Sequence, residues 1–188
     1  MEKDKMAELL RTYLAPQELN QLWNGHKVAS AKGAPPKVVL YDEIIKSRSI
    51  ESLFGNSNKL IVFYPMMQQG GQTSGHYISL VRNPAKNTIY FYDSYGSLPD
   101  VGQKRHANRK LYDEENNSLI KLLLNSGYNV DYSPYHHQKE GDIATCGRHS
   151  LMRALYDDLS NDEYNQVVNE ASKKLGITPD MLSVLVFH

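Results

Sequence analysis

The chain has 188 residues, 21 basic and 21 acidic side chains, and one cysteine. That length suits one domain, or one domain with an added arm, and 40% hydrophobic residues suffice for a core, which argues against intrinsic disorder. Zero formal net charge leaves no electrostatic footprint for nucleic acid or an anionic membrane, and a lone cysteine excludes an internal disulfide framework and a Cys-rich zinc site.

No apolar run approaches bilayer length, and the opening residues lack a signal-peptide core, so an intracellular, non-secreted protein is expected. Residues 2–23 are helical in character, with Met6, Leu9, Leu10 and Tyr13 at helix spacing and an interruption at Pro16. Residues 16–23 suit a second short helix with proline in its first turn. Residues 25–36 are small and polar and carry Pro35-Pro36; they read as a loop dividing an N-terminal arm, residues 1–36, from a main domain, residues 37–188.

Residues 38–41 are apolar and suit a short strand or an extended docking segment, and residues 42–48 a short helix capped by Asp42. Residues 59–64, a continuous apolar β-branched run, predict a buried strand. Residues 68–75 hold three glycines and read as a flexible loop. Residues 76–82 and 88–93 then predict a hairpin about a turn at residues 83–87. Residues 98–110 are polar and irregular, residues 111–125 helical, and residues 129–133 a strand candidate. After a polar loop, residues 146–159 predict a helix with Leu151, Met152, Leu155 and Leu159 on its apolar face. Ser160 and Glu163 form a capping box for the next helix, and Thr178-Pro179 starts a last one. The order implies an α+β fold, a small central mixed sheet flanked by helices.

Cys146 opens its helix, where unpaired backbone N–H groups favour a thiolate. Gly147 beside it lets another backbone come close. A nucleophilic thiol needs a base, and the base needs an orienting group. His76, at the mouth of a strand after the glycine-rich loop, is the best placed of seven histidines. His136 and His137 in the loop before Cys146 are alternatives, while His149 projects from the next helical turn and reads as structural or surface. With residues 83–87 as the turn, Arg82 faces Thr88, which brings His76 level with Ser94 but puts Asp93 on the opposite face. A one-residue register change or a bulge would bring His76 and Asp93 together, so that the carboxylate fixes the imidazole. Gln138 is a candidate side-chain donor to an oxyanion.

Taken together, Gly75-His76-Tyr77-Ile78, Asp93-Ser94-Tyr95-Gly96, Gln138 and Thr145-Cys146-Gly147 resemble the adenain and ubiquitin-like-protein-protease superfamily of cysteine peptidases. That superfamily has histidine, an acid at the end of the next strand, glutamine and Cys-Gly in this order, and the likeness spans residues 60–159. The compact size looks like the viral maturation proteases of adenoviruses, virophages and large DNA viruses. The resemblance implies a papain-like, adenain-like fold with the nucleophile at a helix N-terminus. It implies Cys146 as nucleophile, His76 as general base, Asp93 as orienting acid and Gln138 in the oxyanion hole, with Gly75, Tyr77 and Gly147 along the substrate. It also implies virion or capsid precursors as protein substrates, with small residues such as glycine near the scissile bond.

Several features depart from the pattern. Gln138 stands eight residues before Cys146, a longer gap than usual, Tyr77 replaces a common tryptophan, and residues 1–36 match no family feature. The adenovirus enzyme is basic and uses DNA, whereas zero net charge gives no reason to expect a nucleic-acid activator here. No cofactor or metal is expected, and a monomer is favoured. The same machinery suits a deubiquitinase or deSUMOylase-like isopeptidase, with an acetyltransferase a more distant option; a third class is an inactive binding module on a protease-like scaffold. The arm can cover the cleft, dock a partner or extend the core.

Overall fold

The computed structural model describes residues 2–67, 73–100 and 117–188. The chain begins with α1 (Lys3–Arg11), α2 (Pro16–Gly25), α3 (Lys27–Ala31), β1 (Lys37–Leu40), α4 (Tyr41–Lys46) and α5 (Ile50–Phe54). The central strands β2 (Lys59–Met67), β3 (Thr73–Asn83) and β4 (Thr88–Asp93) follow. After them come α6 (Ser118–Leu124), β5 (Asn129–Tyr132), α7 (Cys146–Leu155), α8 (Asn161–Leu175) and α9 (Pro179–Val186). The expected α+β architecture is present: a five-stranded mixed sheet in the order β1-β2-β3-β4-β5, parallel at both outer pairs and antiparallel within.

Both faces of the sheet are covered, which is why its central strands read as near-continuous apolar runs. On one face Leu60, Val62, Ile78, Leu80, Ile89 and Phe91 meet side chains of α4, α5 and α6. On the other, Ile61, Tyr77 and Tyr92 meet Leu151, Met152 and Leu155 of α7. The arm belongs to this second core, since Leu19, Trp23 and Ala29 are fully buried there.

The hairpin of β3 and β4 departs from the expected count by one residue. Asn83 stays in the strand opposite Thr88, and Arg82 pairs with Ile89. The connection is a 3-10 turn, Pro84–Lys86, whose Lys86 N–H donates to the Asn83 side chain, and it closes on Asn87 in the left-handed region. Because strand side chains alternate with period two, this slip reverses which residues share a face. Ile78 lies opposite Asp93, so His76, two residues before Ile78, is on the same side as Asp93.

Other differences are local. Residues 25–36 contain the short helix α3, whose first turn is capped by the His26 ring accepting from Ala29 N–H at 3.1 Å. Thr73 to Gly75, expected in a loop, already belong to β3; the remainder of that loop, residues 68–72, lies outside the described residues, as do residues 101–116. α7 ends at Leu155 rather than Leu159 because Arg153 takes over the carbonyls beyond it, donating to those of Tyr156 and Leu159 at 2.8 Å each. Every residue of α7 is buried. Polar groups of its other face are satisfied inside the protein; Arg148 donates to the Phe187 carbonyl at 2.9 Å.

Candidate active site

The one-residue register shift makes His76 and Asp93 diagonal neighbours across β3 and β4, within reach of a long side chain. His76 Nε2–H donates to Asp93 Oδ1 at 2.9 Å. The same oxygen accepts the Tyr95 N–H at 2.8 Å, so the strand-end turn holds the carboxylate in place. Tyr95 also lays its ring against the imidazole, with centroids 5.1 Å apart. With Nε2 committed to Asp93, Nδ1 is the ring nitrogen left to face Cys146, which lies near enough to help raise the His76 pKa. Histidine and acid are thus hydrogen-bonded, and the thiol is an electrostatic neighbour of the same imidazole.

Burial opposes charge on His76, but the Asp93 carboxylate, by its charge and its hydrogen bond, more than compensates. Nearby Cys146 adds to it, and the imidazole pKa rises to about 10. The imidazolium thus persists across the neutral range, which suits a ring that holds a proton and later gives it to a leaving group.

Cys146 is a free, buried thiol at the first position of α7. The first helical hydrogen bond near it runs from His149 N–H to the Thr145 carbonyl at 2.9 Å, and no side chain caps the helix. The helix therefore makes no use of the Cys146 N–H.

Gln138 is buried and fixed at both ends. Ser94 Oγ–H donates to Gln138 Oε1 at 2.7 Å, and Gln138 Nε2–H donates to the Ile143 carbonyl at 2.9 Å. The Ser94 carbonyl accepts the backbone N–H groups of His137 and Gln138, both at 2.9 Å. Pinning Oε1 on Ser94 fixes which end of the amide is nitrogen, and the bond to Ile143 uses one of its two hydrogens. Ser94 was visible in the sequence only as a turn residue; its partner lies 44 residues away. The turn docks closely because Gly96, at φ +67, has no Cβ: one would lie 2.7 Å from the Pro134 carbonyl oxygen.

The alternative histidines are placed differently. His137 is buried between the Tyr92 hydroxyl at 3.0 Å and Asn165 Oδ1 at 2.9 Å, and burial lowers its pKa to about 4. His136 packs edge-on to Tyr95, with centroids 5.9 Å apart. His149 is fully buried, not at the surface.

The three residues expected along the substrate sit close to the site. Tyr77 is buried, tilted against Phe63 with centroids 4.6 Å apart, and its hydroxyl donates to the Leu14 carbonyl at 2.7 Å. The space beside Gly147 is bounded by the arm's Leu19 and by Tyr77, which a Cβ would meet at 3.0 and 3.3 Å. At Gly75 a Cβ would clash with the Phe63 ring, 2.1 Å from two of its carbons, and lie 2.7 Å from the Tyr64 carbonyl oxygen. Gly75→Ala is therefore expected to cost about 1–3 kcal/mol, read as a lower melting temperature by scanning calorimetry.

Among the described residues no group of three or more His, Cys, Asp or Glu side chains could hold a metal ion, and no helix is long and apolar enough to cross a membrane. No protein-family model matches the chain. Protein V9 of Sputnik virophage, itself uncharacterised, is 28% identical over 153 residues, 80% of this chain and 85% of that protein. Among solved structures, the SUMO protease Ulp1 with its catalytic cysteine oxidised to a sulfenic acid is 14% identical, with a TM-score of 0.41 over 83% of this chain and 71% of that one. The catalytic domain of the Ulp1-like SUMO protease of Chaetomium thermophilum is 11% identical, with a TM-score of 0.29 over 82% of this chain and 60% of that one.

Proposed function

We propose that this chain is a cysteine endopeptidase that cleaves capsid or other virion precursor proteins during virus maturation. The observation that carries the reading is the hydrogen bond from His76 to Asp93, with Cys146 at a helix start as an electrostatic neighbour of the same ring. In this mechanism the Cys146 thiolate attacks the peptide carbonyl beside the His76 imidazolium. The Cys146 N–H and the Gln138 amide hold the oxyanion, His76 protonates the leaving amine, and water, activated by His76, releases the acyl-enzyme. The viral setting is supported by the similarity to the virophage protein. The enzyme would act inside the infected cell and be packaged with the virion.

The test incubates the full chain with virion precursor proteins encoded alongside it and maps new termini by mass spectrometry. Parallel samples receive ubiquitin and SUMO vinyl sulfones and a peptide aldehyde. Cleavage at sites containing small residues, with aldehyde inhibition and no labelling by the ubiquitin-type probes, is the expected result. Labelling by those probes without precursor cleavage would move the assignment to an isopeptidase. Neither cleavage, labelling nor inhibition would support an inactive binding module and overturn the enzyme reading.

A further inference from the structure

The candidate oxyanion donors sit at opposite ends of one loop, Gln138 at its start and Cys146 at its end. Their separation has to be fixed by something outside that loop, and one buried carboxylate is in position to do it. Asp180 lies in the first turn of α9, behind the Thr178 cap and Pro179. Its Oδ2 accepts the Lys139 N–H at 3.0 Å, next to Gln138. Its Oδ1 accepts the Thr145 hydroxyl at 2.5 Å, next to Cys146, and His149 Nε2–H at 3.1 Å, one turn into α7. Burial alone would raise the Asp180 pKa, but the bonds from His149, Thr145 and Lys139 prevail and lower it.

The contact with Thr145 has a second consequence. Thr145 stands at the N-cap of α7, where a threonine oxygen ordinarily accepts an N–H of the first turn. Here the hydroxyl points to Asp180, and no side-chain cap forms. Asp180 thus holds both ends of the loop and keeps the helix start free to receive an oxyanion.

We propose that Asp180 is a positioning residue for the oxyanion hole, acting through Lys139, Thr145 and His149 rather than on the substrate. The proposal rests on the acyl-transfer reading above. It separates two reactions of the same thiol. Alkylation by iodoacetamide needs the activated sulfur but builds no tetrahedral oxyanion, whereas acylation by a peptide substrate needs both.

Asp180→Asn keeps the side chain's shape but sets an amide NH2 against the Lys139 N–H. In this variant kcat for a fluorogenic peptide is expected to fall about 10- to 100-fold with KM within about threefold, and the alkylation rate to stay close to that of the unaltered protein. Thr145→Val, which removes one of the three links and cannot cap the helix, should show the same split at smaller size. It also serves if Asp180→Asn does not fold. Equal loss of alkylation and acylation would mean a merely structural role and would overturn the proposal, as would unchanged kcat in both variants. A failure of the acyl-transfer reading is separately visible, because the unaltered chain would then hydrolyse no peptide at all.

Discussion

Cys146→Ala is expected to remove all measurable peptide hydrolysis while leaving the fold intact. Cys146 carries the chain's only thiol, and the acyl-enzyme route is lost with it. The fall in kcat should be on the order of 10⁴-fold or more, since removing a nucleophile costs the whole catalytic unit rather than one contact. Folding should respond far less. Cys146 packs as a small buried residue among Tyr77, Leu151 and Met152, and trimming one sulfur there costs about 1 kcal/mol. Turnover of a peptide substrate and thermal unfolding, measured on the same preparation, check both halves. Retained turnover would place the chemistry elsewhere. The variant should also bring the His76 pKa down from about 10, because Cys146 is one of the influences raising it.

The outline of the fold was legible wherever a pattern was local. The apolar run of β2, the capping box at Ser160 and Glu163, and the Thr178-Pro179 start of α9 are each decided by residues within a few positions of one another. Three features were not legible because long-range or subtle turn geometry decides them. The face of Asp93 depended on whether Asn83 belonged to the turn or the strand, and a single residue of difference reversed the answer. The burial of His149 and Arg148 was hidden because the apolar periodicity of α7 shows one face, whereas the arm, α8 and α9 enclose the others. Asp180 carried no signal at all: it follows Cys146 by 34 residues in the sequence, and only the docking of α9 brings it to the loop. Of the candidate site, the residue types and their order were readable, and the contact between His76 and Asp93 was one of two registers the sequence allowed. The devices that hold the site, Ser94 on Gln138 and Asp180 on Thr145, were not readable, because each joins residues more than 30 positions apart.

Asp93→Asn is expected to leave Cys146 in place but lower kcat on the order of 10²-fold or more, since an amide no longer stabilises the imidazolium or fixes its tautomer. The pH dependence gives the sharper test. His76 in the folded chain holds its proton to about pH 10, against 6.5 for the ordinary group. A raised pKa means that the stability contributed by the charged ring is fully present below about pH 6.5. It declines as pH rises and is gone above about pH 10. Asp93→Asn removes the largest influence raising the pKa and leaves burial, which opposes protonation, set against Cys146 alone. The stability gap between the two proteins should therefore be widest at pH 6 and close as pH approaches 10. The alkaline limb of kcat/KM should move the same way, from near pH 10 downward, because the leaving amine needs the proton that His76 carries. Nuclear magnetic resonance titration of the His76 Cε1–H gives the pKa directly. A ring that titrates near 6.5 in both proteins would show that Asp93 does not govern it, and would dissolve the triad into three neighbouring side chains.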